Sequence, residues 1–201
     1  MMSVDSQDAH RGVGLSARLQ EATGQSVVKC YQCGKCSAGC PLASEMDFPP
    51  SQVLRMLQLE QAELEEKVLG SLSIWLCLTC ETCMARCPKE VDLPRIMEFL
   101  REEALNRNVV HPKARDILAF HRAFLDGIKY TGRLYEVGLI AGYKVRTGHL
   151  FQDLLVAPKL LARGKLHVVP KTVAGRSQVS SLFHRAMGKK ESPTEKKEGR
   201  G

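Results

Sequence analysis

The eight cysteines of this 201-residue sequence fall in two runs of identical spacing. Cys30, Cys33, Cys36 and Cys40 lie in CYQCGKCSAGCP, and Cys77, Cys80, Cys83 and Cys87 lie in CLTCETCMARCP. Each run reads C-x2-C-x2-C-x3-C-P, and no cysteine falls outside them. A cubane [4Fe–4S] cluster has four irons, and each takes one thiolate. Three cysteines separated by two residues wrap one loop around three corners. The fourth corner needs a ligand from elsewhere, because the chain cannot curl back tightly enough. Where two such runs occur together, the fourth cysteine of each ligates the other cluster. That rule gives one set of Cys30, Cys33, Cys36 and Cys87 and another of Cys77, Cys80, Cys83 and Cys40.

Three other uses of the thiols fit less well. A disulfide framework needs an oxidising compartment, and the polar start MMSVDSQDAHRG has no apolar export segment. Structural zinc prefers two separated C-x2-C pairs around one tetrahedral ion. A single cluster would leave four cysteines of the second run without a task. Pro41 and Pro88 turn the chain just past each fourth cysteine. Gly34 and Gly39 are expected to let the backbone approach the inorganic core, with amide N–H groups aimed at its sulfurs. Trp75 and Met84 flank the second run and are expected to shield a cluster from water. The six histidines show no ligand spacing; His121 reads as an inward residue beside Phe120 and Phe124.

Other chemistry has no visible motif. The sequence holds no G-x-G-x-x-G dinucleotide fingerprint, phosphate loop or G-x-S-x-G elbow. It therefore reads as a wire, which holds redox centres and passes single electrons between partners. The net charge is +7, and Arg185–Gly201 holds six basic and three acidic residues among Gly, Ser and Pro, which reads as a solvated tail. No helix-turn-helix, zinc-finger or aromatic-plus-basic pattern accompanies the charge, so no nucleic-acid partner is expected. The most apolar stretch, Val137–Tyr143, is far shorter than the roughly 18 residues of a membrane span. The expected compartment is the cytoplasm, with no membrane insertion.

Aromatics make up only 5% of the chain, so Leu, Val, Ile, Ala and Met must build the core that positions the cysteines. The pattern is all-α. A short helix over Leu15–Ala22 ends at Gly24. Pro49 and Pro50 open a helix with Val53, Leu54 and Leu57 on one face, and Leu64–Leu69 stops at Gly70. Asp92 and Pro94 start another, with Leu93, Ile96, Met97, Leu100 and Ala104 inward. Pro112 opens a helix with Ala114, Ile117, Leu118, Phe124, Leu125 and Ile128 inward, and Leu134, Val137, Gly138, Ala141 and Val145 make a further face. Pro158 breaks Leu154–Ala162, and only Val27–Val28 and His167–Val169 look extended. The expected organisation is a disordered N-terminus (1–14), an α-helical ferredoxin-like dicluster domain (15–108), a helical extension (109–165), and an irregular segment with a flexible basic tail (166–201).

The phrases KCYQCGKCSAGCP and WLCLTCETCMARCPKEVDLPRIMEFLRE resemble the C-type subunits of heterodisulfide reductase, strongly over Val27–Asn108. The resemblance implies two [4Fe–4S] clusters in an α-helical fold like the cluster domain of succinate dehydrogenase iron–sulfur subunits. It implies electron relay between two partners of a heterodisulfide-reductase-like complex, a flavin-containing A-type subunit and a catalytic B-type subunit. The latter acts on a disulfide or on sulfane sulfur. The Cys-Cys-Gly motifs of B-type subunits are absent from this chain. The alternative is the dicluster subunit of another dehydrogenase, of glycerol-3-phosphate, lactate/glycolate or succinate type. The succinate type should carry further cysteines before Cys30, and none is present.

Overall fold

The computed structural model of the chain describes residues 14–148 and 172–188. All regular structure in these residues is helical, as the sequence pattern predicts. The chain divides into two compact units between Arg115 and Asp116.

The first unit carries both cysteine runs. Helix α1 (Leu15–Thr23) ends where Gly24 turns left-handed at φ 71° and returns its N–H to Gln20. Glycine adopts that conformation without a Cβ penalty. A single 3-10 turn, Val27–Lys29, leads into the first run, where α2 spans Lys35–Ala38. Helix α3 (Pro50–Gln58) starts at Pro50, whose missing N–H costs nothing in a first turn. Helices α4 (Ala62–Leu69) and α5 (Ser73–Leu76) precede the second run, where α6 spans Thr82–Ala85. Helix α7 (Leu93–Asn106) is capped by the Asp92 carboxylate, which accepts the Arg95 N–H at 3.1 Å.

The inward faces expected on α3 and α7 are buried: Val53, Leu54 and Leu57 on one, and Leu93, Ile96, Met97, Leu100 and Ala104 on the other. Helix α7 packs against α1, α4, α5 and α6, and so forms the spine of the unit. Helix α3 packs on α1, α2 and α4. The polar ties are buried too. The Glu65 carboxylate accepts the Leu15 N–H at 3.0 Å at the start of α1, where the unpaired N–H groups of a helix favour an anion. Ser16 donates to the Leu57 carbonyl at 2.7 Å.

The second unit contains α8 (Ala114–Thr131, entering from the first unit), α9 (Glu136–Thr147) and α10 (Arg176–Gly188). Asp126 on α8 pairs with Arg146 on α9 at 2.5 Å, and Phe120 meets Tyr143 edge-on at 6.2 Å.

Several expectations are corrected. Val27–Val28 is part of a 3-10 turn, not extended chain: the Cys30 N–H bonds back to the Val27 carbonyl at 3.1 Å. The buried stripe of α8 runs through Ala119 and Ala123, while Leu125 is 48% exposed. His121 is exposed instead of inward and stands edge-on to Phe120. On α9, Ala141 and Val145 face outward. The contact with α8 runs through Gly142, where a Cβ would stand 3.4 Å from that of Ala123. The missing side chain of Gly142 lets the two helices approach there, beside the Phe120–Tyr143 contact. Residues 176–188, expected to be irregular, form α10. Their Val179, Leu182, Phe183 and Ala186 recur at helical spacing despite the serines between them. The expectations for residues 1–13, for Leu154–Ala162 and His167–Val169, and for the tail beyond 188 lie outside the described residues. Among the described residues, no helix is long and apolar enough to cross a membrane.

Candidate metal centre

The two cysteine runs fold as one motif used twice. In the first, Gln32 and Gly34 take positive φ, at 62° and 75°. In the second, Thr79 and Glu81 take the same places at 52° and 60°. The alternation curls each loop so that successive N–H groups point inward, the arrangement that favours anions. The donors that reach sulfur repeat as well. Lys35 N–H serves Cys33 and Thr82 N–H serves Cys80. Ser37 N–H serves Cys36 and Met84 N–H serves Cys83. Val91 N–H lies 3.4 Å from the Cys87 sulfur. The residues after Gly34 and Glu81 are therefore donors, and Gly34 acts by aiming Lys35. Gly39 has a different role from the one expected. The place its Cβ would fill is taken by Arg86, whose guanidinium Nη1 would stand 2.7 Å away.

The short helices α2 and α6 pack against each other, which brings the two runs together. Cys40 of the first run joins Cys77, Cys80 and Cys83 of the second in lining one hollow. Its walls are apolar, with Leu42, Met46, Leu76, Leu93 and Met97 among them. These side chains, with neither Trp75 nor Met84 among them, wall the hollow beside Cys40, Cys77 and Cys83, while Cys80 is exposed. Trp75 is buried, its indole N–H without a hydrogen-bond partner among the described residues, and Met84 is 37% exposed. On the other side, Tyr31 stands among Cys33, Cys87 and Cys30. Cys36 and Cys83, one from each run, are near enough to act on each other's charge.

All eight cysteines are unbridged; Cys33 and Cys80 are exposed and the other six half-buried. Their acidities split accordingly. The Lys35 N–H holds the Cys33 thiol below its usual range, and the Tyr31 hydroxyl adds to the effect. The Thr82 hydroxyl, 3.5 Å from the sulfur, and then its N–H do the same for Cys80. Burial pushes Cys36 up, and it pushes Cys83 up to about 11 with the help of Cys77. Thiols held in apolar surroundings strongly prefer a positive centre beside them once deprotonated. Among the described residues, no three His, Cys, Asp or Glu side chains converge as one metal ion needs. The four thiols instead line a hollow, which suits a larger group with separate metal corners. A [4Fe–4S] cluster, which wants four thiolates and N–H donors to sulfur, fits that donor set.

Two supports were not legible in the sequence. Gln58 on α3 donates to the carbonyls of Val27 and Cys30, at 2.8 and 2.6 Å, and Gln32 donates to Gln58 at 3.1 Å and to the Cys30 sulfur at 3.5 Å. Arg101 on α7 donates to the Ile74 carbonyl at 2.5 Å and to that of Cys77. Each helix thus clamps the first cysteine of one run. The partners lie 24 to 31 residues apart in sequence, so no local pattern announces them.

Comparison with known proteins agrees with this geometry. Residues 26–91, which include all eight cysteines, match the family model of the 4Fe-4S dicluster domain. The chain is 37% identical over 109 residues to an iron–sulfur C-type subunit of the CoB–CoM heterodisulfide reductase of Methanocaldococcus jannaschii, covering 52% of this chain and 56% of that protein. It is 33% identical over 95 residues to the iron–sulfur C-type subunit of the same reductase from Methanopyrus kandleri, covering 47% and 48%. It is 27% identical over 105 residues to the C-type subunit of the H2:CoB–CoM heterodisulfide,ferredoxin reductase of Methanothermobacter thermautotrophicus, covering 52% and 55%. The chain spans about half the length of the curated relatives it matches.

Proposed function

We propose that this chain, built around a 4Fe-4S dicluster domain, relays electrons as the C-type subunit of a heterodisulfide-reductase-like complex. In this reading electrons pass between a flavin-containing A-type subunit and a catalytic B-type subunit. The B-type subunit then works on a disulfide or on sulfane sulfur. The observation that carries the proposal is the meeting of Cys40 with Cys77, Cys80 and Cys83 around one apolar hollow. We assign these four to one cluster and Cys30, Cys33, Cys36 and Cys87 to the other. The neighbourhood of Tyr31 with Cys30, Cys33 and Cys87 supports the second set.

The clusters supply reversible one-electron chemistry when bound. The chain's own residues set its conditions. The N–H groups of Lys35, Ser37, Thr82, Met84 and Val91 offset thiolate charge, which favours the reduced state. Leu42, Met46, Leu93 and Met97 give the second set an apolar wall, with Cys80 at its exposed edge. Cys36 and Cys83, neighbours from opposite sets, offer a short way between them. With every thiol assigned as a ligand, the breaking of bonds at sulfur falls to a different polypeptide of the complex.

Anaerobic affinity purification at native expression tests the reading. Co-elution of a flavoprotein and a polypeptide with Cys-Cys-Gly motifs is expected, with about eight irons and eight acid-labile sulfides per chain. Recovery of the chain alone, or about four of each, would overturn it.

A further inference from the structure

The two exposed cysteines, Cys33 and Cys80, mark two places where a cluster edge comes nearest to solvent. Although the loops repeat, their surroundings differ in sign. The cation Lys35 acts on Cys33, whereas the anion Glu81 acts on Cys80. Beside Cys33 the surface is apolar at its centre: Val28 is 75% exposed and Tyr31 57%. Around them stand further cations. Lys89 lies 6.0 Å from the centre of the Tyr31 ring. Arg55 joins Val28 and Tyr31 in lining a shallow hollow over Cys30.

We propose that this face docks an electron-carrying protein whose contact surface is apolar at the centre and acidic at the rim. The proposal rests on the relay reading above. Tyrosine and arginine are the residue types that anchor interfaces. Exposed apolar side chains next to the outermost thiol give a partner a dry approach to the redox centre. The cations Lys35, Arg55 and Lys89 steer a carboxylate-rimmed surface to that spot and repel a basic one. The Cys80 end, with Glu81 beside it and Leu78 63% exposed, is left for a partner of other charge.

Anaerobic stopped-flow reduction of the cluster-loaded full chain tests the surface. The probe is a photoreduced acidic ferredoxin, compared with a small neutral deazaflavin reductant. In R55E/K89E, the ferredoxin rate at low salt should fall about tenfold or more, as loss of steering predicts. The deazaflavin rate and the iron content should not change. In K67E/R95E, with the same change of net charge elsewhere, both rates should stay at wild-type values. An equal loss in both variants would show attraction to the whole chain and overturn the docking surface. So would no loss in R55E/K89E. A wild-type chain that takes no electron from the deazaflavin overturns the relay reading itself, and this proposal with it.

Discussion

Cys40 and Cys87 are the residues on which the ligand assignment turns. If Cys40 serves the Cys77 set, Cys40→Ser should perturb that cluster and leave the spectrum of the other unchanged. Electron paramagnetic resonance of single-cluster variants checks this; a change at the Cys30 set instead would favour local ligation. The left-handed positions invite a second test. Gly34 and Glu81 occupy equivalent places, at φ 75° and 60°. A Cβ at Gly34 would meet nothing within 4 Å, so Gly34→Ala costs backbone strain of about 1–2 kcal/mol, offset by about 0.5–1 kcal/mol of unfolded-state freedom that the alanine removes. Glu81→Gly relieves the same strain but adds unfolded-state freedom of about 0.5–1 kcal/mol, so it should be near neutral. Anaerobic chemical denaturation of both variants would show whether the two loops are strained alike.

At the scale of elements, α7 holds the site by its polar residues as much as by its apolar face. Arg101→Met removes two hydrogen bonds and leaves the carbonyls of Ile74 and Cys77 without that donor. A loss of about 1–3 kcal/mol is expected in denaturant unfolding, with the Cys77 cluster the first to become labile. Two arginines converge on Glu103 of the same helix. Burial pushes its carboxyl up, but Arg107, at 2.6 Å, and Arg18 outweigh burial and hold it below the usual range. A carboxylate depressed in the folded state adds stability above its unfolded value of about 4.3. That stability is lost as pH falls through the lower folded value. Between about pH 5 and 3, the wild type should therefore lose more stability than Glu103→Gln, read from urea midpoints by circular dichroism. Equal losses would show that the Arg18 and Arg107 contacts do not govern the acid limb.

At the scale of the whole molecule, both cysteine loops and the helices that clamp them lie before Arg115, where the first compact unit ends. A chain ending at Arg115 should still take up about eight irons and keep its cysteinyl-cluster absorbance. About four irons would show that the second unit is needed to hold one of the clusters. That second unit exposes several large apolar side chains, among them Leu125, Tyr130, Ile140 and Val145. The dicluster match ends before it, at residue 91.

The sequence by itself determined the helical class, the α1, α3, α4 and α7 positions, and the repeated cysteine spacing. These are local matters. Apolar residues at helical spacing declare a face, as Leu93, Ile96, Met97 and Leu100 do. Prolines and glycines declare ends, as Pro50 and Gly24 do. Chain stiffness makes the two-residue spacing of thiols legible as a loop. Only the tertiary structure decided that Ala119 and Ala123 of α8 are buried while Leu125 is exposed, and that Gly142 of α9 stands against Ala123. It also placed Gln58 and Arg101 on distant carbonyls and put Arg86 where Gly39 lacks a side chain. Such contacts join residues far apart in sequence, and their energy comes from burial and hydrogen bonding that exist only once the helices have packed.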